Sequence, residues 1–142
     1  MPSRHVVWLL VAALIAAASA YGVPRALDRG VLKTSLKISS LPRSVSNVSC
    51  KSASSTDVLT DCDFNFEPHD LSSLLSGRTY SHETNPDSLR HMQSGYEGNA
   101  PFAVAHAYRA TNAASQEFKH GGHFLVFVNA ARNRARTSLY IE

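Results

Sequence analysis

The chain has little with which to carry out the better-marked kinds of chemistry. Cysteine occurs twice in 142 residues, at Cys50 and Cys62, and the eleven residues between them fit neither a C-x-x-C redox motif nor a zinc knuckle. There is no G-x-S-x-G nucleophile elbow, no H-E-x-x-H and no phosphate-loop or dinucleotide fingerprint. Charged residues make up only 18%, with a formal net charge of +3, so basic residues lack the density of a nucleic-acid module and no nucleic-acid partner is expected. The longest apolar run, Val6 to Ala18, is 13 residues, short of the roughly 20 needed to span a bilayer as a helix. A hydrophobic content of 44% is nevertheless enough for a core, which excludes a mostly disordered or collagen-like chain, and the length suits one domain.

What is present at the N-terminus points to export. Arg4 and the amino terminus precede the apolar run, and Ala18-Ser19-Ala20 supplies the small-x-small pattern of a signal peptidase site. Cleavage would follow Ala20. The rival is an uncleaved anchor over Val6 to Val23, interrupted by Ser19, Tyr21 and Gly22. Arg25, Arg29, Lys33 and Lys37 lie beyond the run and outnumber the charges before it, a bias that by itself would hold the following domain inside the cell. No cysteine stands at the cleavage position, so a lipid-anchored lipoprotein is not expected. Residues 1–20 are thus a signal peptide or membrane anchor. Residues 21–40 read as a basic linker or an edge strand, because Leu32, Thr34, Leu36 and Ile38 alternate with Lys33, Ser35 and Lys37. The expected destination is the periplasm or the extracellular medium, or an inner membrane that the chain touches only through its N-terminal segment.

Residues 41–142 carry the domain. Val58, Thr60, Cys62, Phe64 and Phe66 alternate with Leu59, Asp61, Asp63 and Asn65, the period of a half-buried strand. Upstream, Val48 and Cys50 share one face, and the Ser-rich stretch Lys51 to Asp57 reads as a turn. Pairing residues whose numbers sum to 112 sets Cys50 opposite Cys62, Val48 opposite Phe64 and Ser46 opposite Phe66, so one register aligns both the thiols and the apolar faces. A disulfide between Cys50 and Cys62 is expected on that ground, as is an oxidising compartment.

Pro68 to Gly77 reads as a short helix, with Leu71, Leu74 and Leu75 on one face and Gly77 closing it. Tyr80 to Pro101 reads as a long surface loop with one helical turn near Ser88 to Gln93. Phe102, Val104, His106 and Tyr108 alternate with alanines in a further strand. Phe124 to Asn129 and Arg134 to Glu142 make a second hairpin around a loop at Ala130 to Asn133. The sum is a single α+β domain, an antiparallel sheet of about five strands with one short helix.

The pattern Leu41-Pro42, Ser44-Val45, Asn47-Val48, Cys50, Asp61-Cys62, Phe64, Phe66, Pro68, Asp70-Leu71 and Leu74-Leu75, with Gly121-Gly122 and Leu139 to Glu142, resembles uncharacterised families of small exported bacterial proteins. The resemblance implies compartment and fold, and carries no activity.

Two clusters invite chemistry. His120-Gly121-Gly122-His123, with His106 on the preceding strand, would supply three imidazoles to a zinc ion if the strands were neighbours; otherwise the glycines form a turn and the rings lie on a polar face. With a four-residue loop, Arg134 and Arg136 fall on one strand face opposite Asn129 and Phe127; with Arg132 they would offer an anionic polymer a basic patch, or else their stems cover Phe127 and Leu125 at the hairpin tip. The expected role is a non-enzymatic binding module of the cell envelope, taking an envelope protein or an anionic polymer through its sheet or its Tyr80–Pro101 loop. The alternative is a small metal-dependent hydrolase centred on His106, His120 and His123, with zinc as its cofactor.

Overall fold

The computed structural model describes residues 25–94, 100–111 and 116–142. The expected leader or anchor, residues 1–20, lies outside them. Among the described residues no helix is long and apolar enough to cross a membrane.

The chain from residue 25 to residue 36 is helical (α1), where a linker or edge strand was expected. Leu32 and Leu36 satisfy a period of two and a period of 3.6 equally, which is why alternation misleads here. The deciding positions are Val31 and Ser35, which turn inward beside them while Thr34 stays exposed. Leu32 and Leu36 are both 0% exposed. The helix stops in a Schellman turn: Lys37 takes a left-handed φ of 56°, its N–H reaches the Thr34 carbonyl at 3.1 Å, and the Ile38 N–H reaches the Lys33 carbonyl at 3.3 Å. Ile38 then packs on the core, as the hydrophobic residue of that motif does.

Six antiparallel strands form one open sheet: β1 (Ser46–Ser54), β2 (Val58–Asn65), β3 (Tyr80–Glu83), β4 (Val104–Ala110), β5 (Gly122–Asn129) and β6 (Arg134–Ile141), in the order β1-β2-β6-β5-β4-β3. The α+β class is as expected, with six strands in place of five. The additional strand, β3, lies in the stretch expected as a loop, and the helical turn expected there near Ser88 to Gln93 is part of a longer helix, α3 (Pro86–Ser94). Only Tyr80 to Glu83 is extended, too short a segment to establish a period, and α3 buries just Leu89 fully, so neither imposes a strong pattern.

The first hairpin keeps the expected register from Ser49↔Asp63 through Cys50↔Cys62 to Ser54↔Val58, and the Cys50–Cys62 disulfide is formed. Two details differ. β1 continues through the Ser-rich stretch to Ser54, leaving residues 55–57 as the turn. A bulge between Ser46 and Ser49 shifts the pairing so that Ser46 opposes Asn65, with Asn47 at a φ of 51°.

The helix after β2 begins as a 3₁₀ turn, Pro68–Asp70, and continues as α2 (Leu71–Leu74). Leu71 and Leu74 join Phe64, Phe66, Phe124, Val126, Val128, Leu32 and Leu36 in the main core on one face of the sheet. A smaller cluster of Leu89, Ala107, Leu125 and Phe127 sits on the other face beneath α3. Gly77 does not act as a left-handed cap. A Cβ there would stand 2.2 Å from the Leu36 carbonyl oxygen, so glycine lets the chain run against the end of α1.

That approach delivers Arg78, a buried cation. Its Nε and Nη2 donate to the Ser35 carbonyl at 3.0 and 2.8 Å, satisfying an orphan acceptor at the C-terminal end of α1. Its Nη1 and Nη2 donate to the two carboxylate oxygens of Glu117 at 2.8 and 2.9 Å, and its guanidinium lies 4.4 Å from the Phe124 ring centroid. Arg78, together with Lys37 at 2.6 Å, holds the Glu117 carboxyl below its ordinary pKa. One side chain therefore ties α1, the 3₁₀ turn Gln116–Phe118 and the sheet.

Arg78→Met should lower unfolding free energy by roughly 3 kcal/mol, because it leaves the Ser35 carbonyl unmatched and removes both guanidinium hydrogen bonds to Glu117, which keeps only Lys37. Urea melts of the two proteins measure this. A loss under about 1 kcal/mol would mean that packing alone seats α1.

Candidate functional site

The histidines expected to share a zinc ion are not brought together. His106 on β4 lies beside Val128, whereas His123 lies beside Tyr140, five residues away along β5 and on the opposite face of the sheet. Five residues of strand amount to about 17 Å. His120 is exposed in the turn before β5, where Gly121 and Gly122 take φ values of 129° and 127° that other residues rarely adopt, so the glycines form the turn. Among the described residues no group of three or more His, Cys, Asp or Glu side chains is placed to hold a metal ion.

Each histidine has its own surroundings. His123 is half-buried with its ring 5.5 Å from that of Tyr140; burial, and secondarily Arg109, push its pKa down to about 4. His106 meets His82 on β3, Nδ1 to Nε2 at 3.1 Å. Sequence reasoning missed His82 because its segment was expected to be a loop; the signal lay in Tyr80 and His82, which as a strand fall on the face that carries His106 and Tyr108.

The three arginines have different surroundings. Arg136 lies opposite Phe127, as expected, but its Nε and Nη2 donate to Asp63 on β2 at 2.9 and 2.7 Å. Hydrogen bonding to Asp63 raises its pKa, and the pair absorbs charge that a polyanion would need. Arg134 is exposed with its guanidinium 5.3 Å from the Phe102 ring centroid, and Arg132 sits on the hairpin turn at a φ of 53°. Between α3 and β4 an open groove of ≈ 610 Å³ is lined by Thr84, Leu89, Arg90, Gln93, Val104 and Ala105.

The most sharply defined surface is the free edge of the sheet at β1. Among the described residues β1 pairs only with β2, and none of its nine residues is fully buried; Val48 and Cys50 alone are half-buried. The Cα atoms of Cys50 and Cys62 are 4.1 Å apart, the separation of a non-hydrogen-bonded antiparallel pair. Parity then fixes the whole strand. Ser49, Lys51 and Ala53 exchange hydrogen bonds with Asp63, Asp61 and Leu59, while Cys50, Ser52 and Ser54 turn their N–H and C=O groups outward, away from β2. The Ser52 and Thr60 hydroxyls meet across the pair at 3.1 Å. The disulfide is compatible with a periplasmic or extracellular location.

No family model, curated protein or solved structure matches the chain.

The low pKa of His123 makes stability depend on pH in one direction. The unfolded chain takes up a proton on this residue below pH 6.5, while the folded chain resists until about 4. Its share of stability is therefore fully present above pH 6.5 and is lost as pH falls toward 4, by roughly 1–2 kcal/mol once the half-exposed ring is allowed for. His123→Gln should lose less stability than the parent between pH 7 and pH 4.5 in paired urea melts. Equal losses would contradict the assignment.

Proposed function

We propose that the chain is an exported binding module of the cell envelope that accepts an extended segment of a partner protein as an added strand along β1. The observation carrying this reading is the edge itself: a nine-residue strand with small side chains at Ser52, Ala53 and Ser54, outward backbone groups at alternate positions, and a covalent link holding it in register. Strand addition draws affinity from main-chain hydrogen bonds, so it needs a rigid template more than a deep pocket. A strand that buries so little of itself would otherwise fray, and a disulfide over a loop of this length contributes about 3 kcal/mol. The apolar run Val6 to Ala18, the Ala18-Ser19-Ala20 site and the resemblance to small exported bacterial proteins support delivery to an oxidising compartment. The Asn47 bulge and Lys51 restrict the edge at one end and on one face, which limits indiscriminate pairing between copies.

A proline series tests the reading. Ser52→Pro removes an outward N–H without touching the β1–β2 ladder, so it should leave the melting temperature within a few degrees and abolish capture of the partner from envelope extract by the mature domain. Ser52→Ala, which loses the hydroxyl but keeps the N–H, should capture as the parent does. A folded Ser52→Pro protein that still captures the same partner would rule out strand addition at β1.

A further inference from the structure

The opposite edge of the sheet carries a feature that strand addition does not use. β3 pairs with β4 so that His82 lies beside Tyr108, and His106 stands two residues before Tyr108 on the same face. The His82 ring is stacked on the Tyr108 ring, 4.5 Å between centroids and 4° between planes, which fixes its orientation. His106 presents Nδ1 to His82 Nε2 at 3.1 Å, and the two rings are tilted by 32°. His82 is exposed and His106 partly so, leaving this corner open to solvent.

Two imidazoles at this distance hold one proton between them when neutral. With that proton moved to the outer nitrogen of its ring, both inner nitrogens are free to hold a cation that sits beside the line between them. With metal–nitrogen bonds of 2.0–2.1 Å, a nitrogen separation of 3.1 Å subtends about 98° at the metal, nearer to two adjacent corners of a tetragonal site than to a tetrahedral pair. Imidazole donors, that angle and the order of affinities among divalent first-row ions all favour copper(II). We propose that His82 and His106 form a two-histidine chelate for a divalent first-row cation, copper(II) in preference to nickel or zinc, with water completing the coordination.

The surrounding charges oppose one another. Glu83 interacts electrostatically with His82 and favours a cation there, whereas Arg132 acts on His106 and disfavours one. Burial is the larger cause that holds His106 below its ordinary pKa, and a neutral ring is what a metal requires. The bound ion would also link edge strand β3 to β4, the role that the Cys50–Cys62 bond plays at β1.

Copper(II) chloride titrated into the oxidised full-length chain at pH 7.5, followed by electron paramagnetic resonance and by calorimetry, tests the site. The parent should bind one equivalent with hyperfine structure from two nitrogen ligands. His82→Gln and His106→Gln should each weaken that binding at least tenfold and leave at most one imidazole nitrogen on the ion. His120→Gln and His123→Gln should bind as the parent does. Because both critical residues are surface groups, circular dichroism of each variant should match the parent. The proposal is overturned if either single variant binds copper as tightly as the parent, or if the parent spectrum shows fewer than two nitrogens lost with these two residues.

Discussion

The Cys50–Cys62 bond is the constraint on which the arrangement at the sheet's outer strand depends. β1 gives the core only the half-buried Val48 and Cys50, so burial alone holds it and its register weakly. A covalent link between directly opposed residues fixes that register, and because hydrogen bonding alternates along an antiparallel pair, it also fixes which backbone groups face β2 and which face outward. A slip of one residue would exchange those two sets and turn Val48 and Cys50 away from the core. The staple thus specifies a surface as well as adding stability.

At the other end of the same face, Arg78 does comparable work without a covalent bond. It joins the last turn of α1 to Glu117 and to the Phe124 ring, and α1 in turn lays Leu32 and Leu36 over the strands that β1 flanks. Arg29 on α1 donates to the Val45 carbonyl at 2.6 Å, just before β1 begins. The helix that the Arg78 contacts seat therefore also supports the entry to the edge strand. A buried guanidinium is costly to desolvate, and four of its five donors, directed at a carbonyl and a carboxylate, offset that cost through hydrogen bonds.

Much of this was legible in the sequence where two signals agreed. The first hairpin announced itself through alternation and through cysteines that fell into the same register. The second hairpin did so through Phe124 to Asn129 and the in-phase Thr137, Leu139 and Ile141. Legibility failed where one pattern served two structures, as in α1, or where an element was too short to have a period, as in β3. The bulge at Asn47 left no hydrophobic trace, since an extra residue on an exposed strand moves nothing into or out of the core. The three histidines near the C-terminal half looked like a cluster because proximity in sequence ignores the face of a strand; five residues along β5 reverse it. His82 and His106, 24 positions apart, meet only because β3 exists. Arg136 was placed correctly opposite Phe127, but its partner Asp63 is 73 residues away and belongs to the other hairpin.

The central claim, that a disulfide holds β1 as a rigid edge with alternate backbone groups open to a partner, is tested most directly by amide hydrogen exchange in the oxidised protein. The account predicts slow exchange at Ser49, Lys51 and Ala53 and fast exchange at Cys50, Ser52 and Ser54, with reduction speeding the first set while β5 and β6 stay protected. Uniform protection along β1 would mean that its edge is already covered, and uniform fast exchange in the oxidised protein would mean that it is not held; either result would contradict the account.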